Sequence, residues 1–175
     1  MDKKLKYSAI AGIVALVAAL IDFRLSIIIW GIANIVFEWG FKIIGEKTRN
    51  KLLKFSAVGF IIWSVVITLM FIGLSPSAIS LSSPIFKHLQ VVYGIIGVVF
   101  GISLLALKKL LGKIITATVI LGITGSALIA LSMPADFFIS GLDGLLGNIG
   151  RFVMFPVCIL EIIILFKAAG MKEFK

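Results

Sequence analysis

Cysteine and histidine each occur once in this chain of 175 residues, at Cys158 and His88. A lone cysteine excludes an intrachain disulfide, a zinc knuckle and paired-thiol redox chemistry. A lone histidine excludes a bis-histidine haem site and a His-rich metal cluster, and any acid–base pair built on it needs a carboxylate from Asp22, Asp136 or Asp143. No glycine-rich phosphate loop with an adjacent lysine is present, and no Ser/His/Asp set. Acid is scarce as well: eight Asp and Glu stand against 17 Lys and Arg, giving a net charge of +9. From these absences no cofactor and no metal are expected, and nothing argues for an enzyme.

What the chain has is apolar length. It is 61% hydrophobic with a mean hydropathy of +1.20. A soluble protein this small could not bury so much apolar surface, because its surface-to-volume ratio is too high. Runs of roughly twenty apolar residues read instead as spans of a hydrocarbon core about 30 Å thick. The pattern predicts an all-α, polytopic integral membrane protein of one domain, with six transmembrane helices over residues 5–21, 25–44, 55–74, 86–107, 114–132 and 151–167. Gly45 suits a C-cap for the second helix, and Ser83-Pro84 suits the start of the fourth. Lys3, Lys4 and Lys6 before the apolar run from Tyr7 to Ile21 resemble a secretory signal. Removing that segment would leave an odd number of spans, so the expectation is a retained first helix.

The cations fix an orientation. All of the 17 Lys and Arg except Arg24, Lys87 and Arg151 fall on one side of the six predicted helices. The positive-inside rule places that side, with both termini, in the cytoplasm, and the expected location is the plasma membrane of a prokaryote. Basic loops beside anionic lipid gain about 1 kcal/mol per cation, so the net charge requires no nucleic acid. On the other side, Pro134-Ala135-Asp136 can open a helix in which Phe138, Leu142, Leu145, Leu146 and Ile149 form a stripe beside Gly141, Gly144, Gly147 and Gly150. Residues 137–149 are expected to form an outer amphipathic or re-entrant segment, separate from the sixth helix.

Glu161 is the first candidate for function. It lies mid-helix in Ile159-Leu160-Glu161-Ile162-Ile163 with no basic residue one turn away. A charge at that depth costs about 2.5–3.5 kcal/mol on insertion scales, so Glu161 should face protein or water and could hold a proton or a cation. Pro156 either opens the sixth helix or, if interior, frees the Phe152 carbonyl. Asn34 and Glu38 share a helix face with Trp30 and Lys42, and Glu38 can pair with Lys42 one turn on. Asn34 and Glu38 either make only that salt bridge and an interhelical hydrogen bond or form one polar site with Glu161, with Trp63 as packing or pocket wall. Thr116, Thr118, Thr124 and Ser126 either line a path or bond the carbonyl one turn back.

Small-residue faces offer a different role. Ala11, Ala15 and Ala19 repeat every fourth residue, as do Gly97 and Gly101, and such faces permit close helix approach to a membrane partner or a second copy. The alanine stripe resembles the first helix of the vitamin-uptake S-components of energy-coupling transporters, which are also small, basic, six-helix proteins. That resemblance covers one helix and implies a non-catalytic subunit that docks a partner. The leading expectation is binding or translocation of a small solute or ion; the alternatives are the docking subunit and a membrane-embedded lipid enzyme using Asp136, Asp143 or His88.

Overall fold

The computed structural model describes residues 2–21, 24–73, 84–136, 139 and 141–174, leaving aside the side chains at 24, 25, 27, 84, 86, 136 and 173. Among these residues the regular structure is entirely helical: α1 (Lys3–Ala19), α2 (Arg24–Lys47), α3 (Lys51–Gly73), α4 (Pro84–Leu104), the short α5 (Lys108–Leu111), α6 (Lys113–Asp136) and α7 (Leu142–Gly170). A 3-10 turn at Leu105–Leu107 carries α4 into α5. Helices α2, α3, α4 with its extension, α6 and α7 are long and apolar enough to cross a membrane. Helix α1 has 17 residues.

The long helices close into a ring. Each packs against its neighbours in the order α1, α2, α3, α4, α6, α7, and α7 returns to α1. The outer surface keeps apolar side chains such as Ile32, Phe55, Ile62, Leu69, Ile120 and Phe152 exposed. Such a surface is stable against lipid and not against water. Inside, Leu5, Phe41, Ile44, Leu53, Leu104, Leu111, Ile164 and Leu165 form a core with almost no exposed area.

Polar contacts gather the basic ends of the helices at one pole. Asp2 caps α1 by accepting from the Lys4 and Leu5 amides at 2.8 and 3.3 Å. Its second carboxylate oxygen meets Lys47 Nζ, on the last residue of α2, at 2.7 Å. Lys47 also donates to the Phe174 carbonyl. The Asp2 amide donates to the Ala169 carbonyl at 2.8 Å, so both described ends of the chain meet there. Asn50 Nδ2 reaches the Ser103 carbonyl at 2.8 Å, and Lys167 Nζ the Leu111 carbonyl at 2.9 Å.

The α2–α3 connection corrects the expected Gly45 cap. Helix α2 runs on to Lys47, and the left-handed position falls on Arg49, with φ of 56°. The Asn50 amide donates to the Gly45 carbonyl at 2.8 Å and the Arg49 amide to the Glu46 carbonyl at 3.2 Å, the bond pair of a Schellman motif. Asn50 then opens α3, its Oδ1 accepting from the Leu53 amide at 3.1 Å. Gly45 serves close approach instead: a Cβ there would stand 2.7 Å from the Lys54 amide nitrogen.

A second correction concerns 137–149. Residues 137, 138 and 140 lie outside the described residues, but from Leu142 onward the segment is continuous with α7. Helical glycines each cost about 1 kcal/mol, and packing overrides that cost. Gly147 and Gly150 are buried, and a Cβ on Gly150 would stand 2.8 Å from the Gly125 carbonyl oxygen of α6. Pro156 is therefore interior to α7. Asp22 and the expected Ser83 cap also lie outside the described residues.

Candidate functional site

The ring encloses a cavity of about 80 Å³. Its wall follows from helical spacing, since residues three and four apart share a face. Helix α2 contributes Trp30, Asn34, Phe37 and Glu38; α6 contributes Thr118, Gly122 and Ser126; α7 contributes Met154, Cys158 and Glu161. Phe60 of α3 and Tyr93, Gly97, Phe100, Gly101 and Leu104 of α4 complete it. Helix α1 takes no part.

Glu38 and Glu161, from neighbouring turns of the ring's interior, are 5% and 7% exposed. Among the described residues no Lys, Arg or His lies on the wall. The Lys42 partner expected for Glu38 goes elsewhere: Lys42 Nζ sits 3.2 Å from Glu46 and 4.2 Å above the Trp39 ring. Lys54 joins the same Glu46 carboxylate at 3.1 Å. A lysine can reach polar surroundings by turning toward the helix end, whereas following Glu38 inward would bury its ammonium. Glu38 Oε2 is consequently buried without a hydrogen-bond partner among the described residues. Gln90 Nε2 is in the same position, outside this cavity. An unpartnered buried polar atom costs about 1–3 kcal/mol, more when charged, a cost that a ligand at Glu38 would offset.

Asn34 is anchored across the ring, its Nδ2 donating to Ser64 Oγ of α3 at 2.7 Å. Trp63 stands behind the wall rather than on it. It packs edge-on against Trp30 with ring centroids 5.8 Å apart, lies 4.6 Å from the Tyr93 ring, and donates Nε1–H to the Leu89 carbonyl at 3.1 Å. From Tyr93 the ring contacts pass to Phe60 at 5.3 Å, Phe100 at 5.5 Å and Phe41 at 5.0 Å, an aromatic band around one side of the cavity. Tyr93 looks like an interfacial-belt residue in the sequence; its place facing the cavity is set by α4–α3 packing, which spacing alone does not reveal. Cys158, which reads as an inert packing residue, also reaches the wall.

The hydroxyls divide. Thr118 Oγ1 donates to the Ile114 carbonyl at 2.8 Å while lining the cavity, so both readings of it hold. Ser126 Oγ lies 3.7 Å from the Met154 sulfur. Thr124 is exposed and Thr116 half-buried.

The small-residue faces turn inward in part. Ala15 is 5% exposed within the chain, Ala11 is half-buried and Ala19 exposed. A Cβ on Gly97 would stand 2.1 Å from Ser126 Oγ, and one on Gly101 2.8 Å from the Ile123 side chain. These glycines bring α4 against α6.

A wider cleft of about 260 Å³ opens at the opposite pole, lined by Lys87, Gln90, Ser132, Met133, Asp143, Gly144, Asn148 and Arg151. Lys87 and Asp143 pair there at 2.7 Å, and Arg151 donates to Asn148 Oδ1 at 3.0 Å. His88 is exposed nearby on α4. Among the described residues, no group of three or more His, Cys, Asp or Glu could hold a metal ion. The chain matches no family model, no curated protein and no solved structure. What is shown is an all-helical chain whose apolar helices are compatible with a multi-pass membrane protein.

Proposed function

We propose that this protein binds a small solute or ion in the cavity between Glu38 and Glu161 and moves it across a membrane. One observation carries the reading: Glu38 Oε2 is buried without a partner beside the same cavity as Glu161. Intramembrane acids are costly and mark solute or proton pathways by default. The interior Pro156 supports it, because the freed Phe152 carbonyl loosens α7 between the outer cleft and Glu161.

The accompanying topology has six spans. Helix α1 stands at the short end of the spanning range of about 17–25 residues, and its place in the ring beside α2 and α7 gives it the same neighbours as a true span. Both termini lie in the cytoplasm with the basic pole, as the lysine distribution favours, and the membrane is a prokaryotic plasma membrane. Single cysteines introduced at Gly112 and Gly141 in a Cys158→Ser background test the orientation. Labelling of position 141 alone from the periplasmic side supports it, and the reverse pattern overturns it.

Reconstituted in proteoliposomes with an internal pH dye, the protein should pass protons or a coupled solute, and Glu161→Gln should reduce flux at least tenfold at equal reconstitution. Flux unchanged by Glu161→Gln, and by Glu38→Gln, would remove the site. Ala15, Gly97 and Gly101 are engaged within the chain, which favours this reading over a docking subunit.

A further inference from the structure

Resting on the solute-binding reading above, we infer that the cavity takes a small primary ammonium ion, of the size of ammonium or methylammonium. Three observations converge on that class.

Charge comes first. Glu38 and Glu161 both face the cavity, and among the described residues its wall carries no basic side chain. Two carboxyls withdrawn from water either take up protons or need countercharge, and a cationic occupant supplies the second. A divalent metal ion is the less suited cation. Calcium and magnesium demand six or more oxygens, and no described cluster of three acidic, Cys or His side chains exists to supply the protein share.

Donor and acceptor balance comes second. Glu38 Oε2 accepts nothing from the described residues. Asn34 gives one of its two amide hydrogens to Ser64 and keeps Oδ1 as an acceptor, and Thr118 gives its hydroxyl hydrogen to Ile114. These groups therefore offer lone pairs to the cavity, and a ligand carrying several N–H donors complements them. An ammonium head is such a ligand; an alkali ion takes the same lone pairs without directed N–H bonds, so sodium is the comparison that decides between them.

Shape comes third. Aromatic side chains make up a large part of the remaining wall, from Trp30 and Phe37 through Phe60 to Tyr93 and Phe100. Ring faces attract organic cations by their quadrupole and accommodate a methyl group that bare metal ions lack. At about 80 Å³ the space holds roughly two or three water-sized groups, since a water's share of liquid volume is about 30 Å³. Ammonium and methylammonium are the amines nearest that size, and a quaternary amine is the larger comparison.

The test uses the full chain in detergent. Trp30 on the wall gives a fluorescence signal once Trp39 and Trp63, the other two tryptophans, are replaced by Phe, and Cys158, the sole cysteine, gives a second one in the unaltered chain through its rate of labelling by a small thiol reagent. Methylammonium chloride should quench saturably and slow Cys158 labelling severalfold, at ionic strength matched with sodium chloride. Tetramethylammonium and sodium should be at least tenfold weaker, and Glu38→Gln should weaken methylammonium at least tenfold. The labelling readout needs no variant, so a misfolded Glu38→Gln leaves the proposal testable.

Failures separate cleanly. Equal protection by neutral acetamide overturns the cationic class and leaves a solute site standing. No amine effect, with a pH-dependent Trp30 signal that Glu161→Gln abolishes, overturns the amine and leaves a proton site. The titratable groups facing one another there are Glu38 from α2, Tyr93 from α4, and Cys158 and Glu161 from α7. Neither protection nor any signal from amine, acetamide or pH overturns the inference and the site together.

Discussion

Asp2 and Lys47 stand 2.7 Å apart, tying the residue that caps α1 to the last residue of α2. Hydrogen bonding from Lys47, more than the Lys4 and Leu5 amides, holds the Asp2 carboxyl below its ordinary value of 3.8. A carboxyl depressed in the folded state stabilises fully above its unfolded pKa of about 3.9, and that stability is lost as pH falls through the folded value. Asp2→Asn keeps a good N-cap and removes only the charge. At pH 6 its unfolding in detergent should lie below wild type by about 0.2–1 kcal/mol. The gap should close between pH 4 and pH 2, and a gap constant over that range would show that the ion pair contributes nothing.

Arg49 holds a left-handed conformation with φ of 56° at the end of α2. That conformation costs a non-glycine residue about 1–2 kcal/mol, part of which glycine returns as chain entropy on unfolding. Arg49→Gly should therefore raise the unfolding midpoint, by about 0.5–1 kcal/mol. Arg49→Ala keeps a Cβ and should give no such gain; equal effects of the two would point to the lost charge.

Asn50 has two tasks, accepting from the Leu53 amide and donating to the Ser103 carbonyl. Asn50→Ala removes both and should destabilise by about 1–2 kcal/mol. Asn50→Asp retains the cap and loses the donor, so its loss should be smaller. An Asp variant as unstable as Ala would show that the bond to α4, not the cap, dominates.

At Gly97 a Cβ would meet Ser126 Oγ at 2.1 Å. Gly97→Ala should cost about 1–3 kcal/mol through strain between α4 and α6. Ser126→Gly should recover much of that loss in the double variant, a coupling that a double-mutant cycle reads directly. Additive losses would mean the helices separate rather than clash.

Glu38→Leu offers a different signature. Removing a buried, unpartnered carboxylate should raise stability by about 1–3 kcal/mol while abolishing ligand response in the Trp30 signal. A destabilised Glu38→Leu would indicate a structural role for the carboxylate.

The helices were legible because their apolar runs are long, and the acids because they interrupt those runs. Their meeting was not. Glu38 and Glu161 belong to helices far apart in sequence, and only closure of the ring puts them on one wall. Lys42 illustrates the limit of local spacing: Glu38 and Glu46 each lie one turn away, and burial chose Glu46. The beginning of α7 was hidden for a related reason. Gly144, Gly147 and Gly150 lower helix propensity, and the backbone contact with α6 that rewards Gly150 is tertiary.

The 2.8 Å bond from the Asp2 amide to the Ala169 carbonyl places the two described chain ends side by side at the basic pole. A ring whose ends touch has no obligatory first helix. A short linker joining the termini, with new ends cut at the exposed Gly112 turn on the same pole, would yield a circular permutant beginning at α6. The number of spans and the sidedness of the lysine-rich face would be preserved, while the order of insertion during synthesis would change. Such a permutant would separate what the finished ring requires from what its order of assembly requires.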